Sequence, residues 1–228
     1  MKAMTPRRLV LMFIVVFVFP LLPVLISGDW SWWEAWLYAL ISAAGFIASR
    51  VLAAQRHPDI LEERARSIEL EGAKPWDKIL APSLAFGSIL ILIVAGLDHR
   101  FGWSSPFLLA VKLLAILIIL LGYLLGSWAL LENRFFSGVV RIQKDREHHV
   151  VSSGPYRFIR HPGYAGALWT YLFTPLLLDS AWALLPALLL AGVLVLRTAL
   201  EDGTLQQELP GYAEFTLKTR YRLFPGLW

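Results

Sequence analysis

Long apolar runs separated by short polar stretches make up most of this chain. The runs cover residues 9–27, 32–52, 79–97, 106–131, 164–178 and 181–200. A helix needs about 20 mostly apolar residues to cross a bilayer, and only the run at 164–178 falls at the lower edge of that range. It is separated from the last run by Asp179-Ser180 alone, which predicts a tight helical hairpin. The pattern predicts an all-α fold, a polytopic integral membrane helical bundle of five to six transmembrane helices, with six preferred. Pro20, Pro23, Pro175 and Pro186 fall inside these runs and are expected to kink them, because proline removes a backbone donor. The N-terminus has the basic start and apolar run of a signal peptide. No small-residue cleavage site follows Ile26, and more runs come after it, so the stretch reads as a first transmembrane helix.

The polar stretches orient the bundle. Lys2, Arg7 and Arg8 precede the first run, and the second connection carries Arg50, Arg56, Arg64, Arg66, Lys74 and Lys78. The fourth carries Arg134, Arg141, Lys144, Arg146, Arg157 and Arg160, and the tail Lys218, Arg220 and Arg222. The remaining connections hold only Asp29, then Asp98, His99 and Arg100, then Asp179. Basic loops stay on the cytoplasmic side, so six crossings put both termini there, in a bacterial inner membrane or an endoplasmic reticulum. Residues 57–78 mix Leu61, Ile68 and Leu70 with Glu62, Glu63, Arg64, Arg66 and Glu69, the pattern of an amphipathic helix lying along the interface. Past Leu200, polar Glu201, Asp202, Gln206, Gln207 and Glu208 surround Leu205 and Leu209 until Pro210-Gly211 breaks the helix. Tyr212, Phe215, Leu217 and Tyr221 resume the pattern, which predicts cytoplasmic C-terminal amphipathic helices folding back as a lid or floor.

Composition agrees with a single membrane domain over residues 1–228. Hydrophobic residues make up 57% and charged residues 17%, whereas a soluble domain carries about a quarter charged residues. The absence of cysteine excludes disulfides, thiolate metal sites and a cysteine nucleophile. A net charge of +4 would raise nucleic acid as a partner for a soluble protein, but here the basic residues sit in loops and read as a topology signal.

Candidate chemistry gathers at the cytoplasmic mouths of the helices. Residues 154–164 are the densest cluster, with a Gly154-Pro155 turn, Tyr156, Arg160, His161, a helix start at Pro162, and Tyr164. An aromatic and basic anchoring belt uses the same residue types, but it does not account for a Gly-Pro-Tyr turn closing onto Arg-His-Pro. The similar Arg56-His57-Pro58 lacks both flanks and reads as a helix terminus. Glu132-Asn133-Arg134 ends the fourth run. Arg197 and Glu201 share a helical face at the end of the last run and can pair at that spacing. Arg197 lies one turn deeper than the charged end, where an arginine should face a polar cavity or an anion. If that anion is a ligand carboxylate, the guanidinium fork suits it bidentately. A zinc site at His148, His149 and His161 is disfavoured, since adjacent histidines rarely share a metal and no thiolate is present. The chain has no Gly-x-Gly-x-x-Gly, Walker, Gly-x-Ser-x-Gly or His-Glu-x-x-His pattern.

The pattern His148-x-Val150-Val151-x-Ser153-Gly154-Pro155-Tyr156, followed by Arg160-His161-Pro162-x-Tyr164-x-Gly166, resembles the isoprenylcysteine carboxyl methyltransferase family. Its wider relatives include the membrane phospholipid N-methyltransferases. Arg197-x-x-x-Glu201-Asp202-x-x-Leu205, Tyr212, Arg220 and Arg222-x-x-Pro225 match in order and spacing, so the resemblance covers roughly residues 130–228. One departure is Glu201-Asp202, where the family usually has a Glu-Glu pair. The resemblance implies S-adenosylmethionine as methyl donor and a lipophilic acceptor entering sideways from the bilayer, with no metal and no nucleic acid. It further implies that residues 1–131 are a supporting helical bundle and 132–228 the cofactor-binding and catalytic region. Carried over, His148, Val150, Gly154, Pro155, Tyr156, Arg160, His161, Tyr164 and Asp202 are cofactor-binding. Arg197 and Glu201 are catalytic at the acceptor end, with Arg197 holding the acceptor carboxylate and Glu201 orienting it or touching the cofactor.

Methyl transfer to a carboxylate needs no general base, because that group is already ionised near neutrality. Three other readings stay open. The same fold can methylate a phospholipid amine or a small thiol, with Glu201 as proton acceptor. A membrane sterol-type reductase using NADPH shares an Arg-His-Pro motif. A non-catalytic scaffold or transporter subunit would place polar groups at the bilayer midplane, whereas here they gather at one face.

Overall fold

The structure is a computed structural model that describes residue 10, residues 13–60, residue 63 and residues 72–228. Among these residues it has seven α-helices and no strand. They are α1 (Phe19–Ser27, continuing from a π-helical turn at Ile14–Val18), α2 (Trp33–Arg56), α3 (Asp77–Phe101), α4 (Leu109–Glu132), α5 (Pro162–Leu177), α6 (Leu184–Glu208) and α7 (Tyr212–Lys218). Short 3₁₀ turns occur at Lys144–Arg146 and Gly154–Arg157. Helices α2, α3, α4 and α6 are long and apolar enough to cross a membrane, and Ile14–Ser27 is a shorter apolar helix; α5 has 16 residues. Each of the six expected runs thus carries a helix, although Trp32, residues 106–108, Leu178 and residues 181–183 lie outside it.

The helices overrun the apolar runs at their polar ends. Helix α3 takes in Asp98, His99 and Arg100, and α6 continues through Glu208. Backbone hydrogen bonding is satisfied as well by a solvated helix as by a buried one, so hydropathy marks where the membrane ends and not where the helix ends. Pro186 lies in the first turn of α6, where a missing donor costs nothing, so the kink expected there has no cause. The amphipathic helix expected over 57–78 falls mostly on residues 61–62 and 64–71, which lie outside the described residues, as do Lys2, Arg7, Arg8 and Leu9.

Helix α5 packs chiefly on α4, and glycine makes that contact possible. A Cβ on Gly166 would sit 2.4 Å from the Gly122 carbonyl oxygen, and one on Gly122 would sit 2.7 Å from that of Gly166. The two backbones touch, as small residues allow in membrane bundles. At one end of the bundle, Lys112 Nζ donates to Glu34 (2.6 Å) and Asp179 (2.7 Å), and Ser180 Oγ donates to buried Asp98 (2.6 Å). These bonds fix the α5–α6 hairpin turn to the start of α4 and the end of α3. At the opposite end the tail runs beside the entry to α5, with Arg160 N bonded to Tyr221 O and His161 N to Arg222 O, both at 2.9 Å.

Candidate functional site

The ends of α4 and α6, the start of α5, helix α7 and the loop after α4 enclose an open cleft with about 790 Å³ of empty space. His148, Val150, Tyr156, Arg160, His161, Tyr164 and Glu201, all expected at the site, line it. Gly154, Pro155, Asp202 and Arg197, also expected there, do not.

The loop is shaped by its own side chains. Asn133 Oδ1 accepts from Phe135 N (2.9 Å), and buried Gln143 donates through Nε2 to Phe135 O (2.7 Å). This turns the Phe135 ring onto His148, with centroids 4.5 Å apart. Gln143 N donates to His148 Nδ1 at 3.3 Å, which leaves Nε2 as the protonated nitrogen. Burial pushes the His148 pKa down to about 4, helped by neighbouring His149, Arg141 and Arg146. The ring is therefore neutral near pH 7. Burial also raises the Tyr156 hydroxyl above its ordinary range, so Tyr156 remains a donor; Asn133 Nδ2 lies 3.3 Å from it.

Gly154 acts from outside the cleft. Its φ is +55°, and a Cβ there would lie 2.8 Å from Glu132 Cγ, so glycine lets the Gly-Pro-Tyr turn close against the end of α4 and places Tyr156. Pro155 is buried behind that turn.

Asp202 is fully buried and surrounded by protein donors. Arg160 Nε and Nη2 reach its two oxygens at 2.7 and 2.9 Å, and Arg222 Nε does so at 2.8 Å. His161 Nε2, Gln206 Nε2 and the Tyr212 hydroxyl complete the shell at 3.2, 2.9 and 3.1 Å. The remaining Arg160 nitrogen donates to the carbonyls of Thr219 and Arg220. The carboxylate has no lone pair left for a ligand. It joins α6, α7, the tail and the Arg-His-Pro segment.

Arg197 and Glu201 also part company. The Arg197 fork goes to Asp77 at the start of α3, with Nε to Oδ1 at 2.7 Å and Nη2 to Oδ2 at 3.0 Å, and Nη2 also donates to Gly138 O at 2.9 Å. Glu201 accepts instead from the Tyr164 hydroxyl, and the Arg197 guanidinium carbon stands 5.3 Å from the Tyr164 ring centroid. Tyr164 stacks on His161, with centroids 5.7 Å apart and planes 6° from parallel. Sequence reasoning missed Asp77, which reads only as an acid in a helix's first turn. It also missed Gln143 and Phe135, whose role depends on the loop's path.

The lining has a consistent electrostatic character. Glu201 contributes a carboxylate. The cationic Arg141 and Arg160 are balanced by Glu63 with Asp145 and by Asp202. The other lining groups include aromatic faces (Tyr156, Tyr212, Phe135, Phe136), neutral His148 and apolar Val150, Val151 and Leu205. Such a cleft suits a planar heterocycle and a compact cation beside an aromatic face.

Residues 113–207 match the model of the isoprenylcysteine carboxyl methyltransferase (ICMT) family. A probable protein-S-isoprenylcysteine O-methyltransferase from Oryza sativa subsp. indica is 32% identical over 59 residues, which is 25% of this chain and 31% of that protein. Its counterpart from subsp. japonica matches equally. The matched stretch thus spans about a third of the length of these curated relatives. A solved structure of a eukaryotic intramembrane Ras methyltransferase, ICMT, aligns over 99% of this chain and 88% of its own, at 16% identity and a TM-score of 0.47.

Proposed function

From residues 113–207, which carry the pattern of the isoprenylcysteine carboxyl methyltransferase family, we infer that this chain is a multi-pass membrane methyltransferase. It uses S-adenosylmethionine and methylates the carboxylate of a prenylcysteine-like lipophilic acceptor. The observation that carries this reading is the convergence of His148, Tyr156, His161, Tyr164 and Glu201 on one cleft at the mouths of membrane helices.

The lining fits the cofactor. S-adenosylmethionine supplies a methyl group on a sulfonium cation. The Glu201 carboxylate and the Tyr164 and Tyr156 rings favour a positive charge, and a neutral His148 does not oppose it. Val150, Val151 and Leu205 give an apolar wall for a flat base, and His148 Nε2 supplies a donor to a polar group. The chain needs to align its ligands and exclude water, since the acceptor is already ionised.

Arg197 changes role on this reading. Its fork is held by Asp77, so it does not clamp the acceptor carboxylate bidentately. It acts instead as a charge-balanced support under Tyr164. The cleft lies at the end of the bundle that carries Arg56, Lys74, Lys78, Arg134, Arg141 and Lys144, and by the positive-inside rule that end faces the cytoplasm. The acceptor reaches the cleft from the surrounding bilayer.

A transfer assay with a tritium-labelled methyl donor tests the function. With a farnesylcysteine acceptor, the expected product releases labelled methanol in mild base, as an ester must. Base-stable label on a phospholipid amine would move the protein to the N-methylating relatives.

A further inference from the structure

Arg197 and Glu201 lie four residues apart on α6, a spacing at which opposite charges meet, yet the structure keeps them apart. Asp77 takes two nitrogens of the Arg197 fork, and Gly138 O takes another bond from the same Nη2. Asp77 is fully buried, and its Oδ2 also accepts from Val140 N at 2.6 Å. Lys74 N returns a bond to Val140 O at 3.0 Å. The segment before α3 therefore holds both Arg197 and the wall of the cleft at Val139–Val140, which lines it. Asp77 lies outside residues 113–207, so the site is completed by the half of the chain that the family pattern does not reach.

We propose that Asp77 is a positioning residue that withholds Arg197 from Glu201, so that the Glu201 carboxylate stays available to hold Tyr164 and to face a cationic ligand. Without the Asp77 charge, the buried guanidinium has one anion within its helical reach, which is Glu201. Pairing there takes the carboxylate from Tyr164 and cancels the negative charge of the cleft. A buried cation stripped of its partner is costly, so the rearrangement is driven by the loss of Asp77 itself. This inference rests on the proposed use of an S-adenosyl cofactor.

The test compares two ligands that differ in charge at the reacting position. S-adenosylhomocysteine has a neutral thioether there, and sinefungin has an ammonium group. Both are titrated calorimetrically into the detergent-purified full chain. Asp77→Asn is expected to lower sinefungin affinity about tenfold relative to S-adenosylhomocysteine. General loosening of the fold would weaken both ligands alike and leave the ratio unchanged. Should Asp77→Asn not fold, two double variants decide, because both lose the fork and only one keeps a cation. Asp77→Asn/Arg197→Gln should retain the wild-type ratio, and Asp77→Asn/Arg197→Lys should show the tenfold drop. An unchanged ratio in Asp77→Asn, or equal ratios in the two double variants, overturns the proposal while leaving the proposed function intact. A wild-type chain that binds neither ligand overturns both.

Discussion

Arg160 grips Asp202 through Nε and Nη2 at 2.7 and 2.9 Å, and both side chains are shut away from solvent. The pair joins the segment before α5 to α6, and Arg222 and Tyr212 bring the tail and α7 to the same carboxylate. The Arg-His-Pro signature is thus largely an architectural device, in which Arg160 and His161 both border the cleft while they bond to Asp202.

Asp202→Asn removes the charge at this junction and leaves Arg160 buried with no counterion. Breaking a buried pair from one side costs about 3–5 kcal/mol. Thermal unfolding in detergent should show that loss. The fraction that remains folded should bind S-adenosylhomocysteine within about threefold of wild type, because protein donors take up the Asp202 carboxylate. The reverse pattern, normal stability with lost binding, would return Asp202 to the cofactor site.

The His148 ring is held neutral by burial, with a folded-state pKa of about 4 against 6.5 in the unfolded chain. Between those values the unfolded chain binds more protons, so stability falls as pH drops through about 6.5 towards 4. His148→Gln cannot titrate and should flatten that part of the profile of melting temperature against pH. Binding of S-adenosylhomocysteine should stay nearly constant from pH 8 to pH 5, since the ring does not charge there. A midpoint near 6.5 in the binding profile would place His148 in solvent.

Tyr164→Phe keeps the ring under Arg197 and on His161 but loses the hydroxyl that Glu201 accepts. Stability should fall by about 1.5–3 kcal/mol, the usual net worth of a hydrogen bond to a charged group. Turnover should fall by about tenfold or more, because Glu201 is no longer held in place. Steady-state kinetics at saturating cofactor separate the two effects.

Gly166→Ala would drive a methyl group into the Gly122 carbonyl. Overpacking of this kind costs about 1–3 kcal/mol, so α4 and α5 should separate and the folded yield should fall. Gly126→Ala, one turn further along α4, meets nothing within 4 Å and should behave as wild type.

Much of this architecture was legible in the hydrophobic pattern. Each apolar run carries a helix, and the short run at 164–178 with Asp179-Ser180 after it forms the α5–α6 hairpin. The cleft was partly legible, because His148, Tyr156, His161, Tyr164 and Glu201 lie in motifs whose local geometry brings them to one end. Asp77 had no such signal, since its partner lies 120 residues away and only the packing of α3 against α6 brings them together. The Arg197–Glu201 pairing illustrates the same limit. Their spacing along one helix was correct, but a third residue from another helix decided where the fork went. The resemblance alone puts Asp202 beside Glu201 in the cofactor site, whereas successive helical residues point about 100° apart, and the Asp202 side chain faces the tail.

The most direct measurement is calorimetric titration of the purified full chain with S-adenosylhomocysteine and, separately, with NADPH, repeated on His148→Ala. One equivalent of S-adenosylhomocysteine should bind, more weakly in the variant, and NADPH should give no heat of binding. Binding of NADPH alone, or of neither ligand, would contradict the assignment of the cleft to an S-adenosyl cofactor.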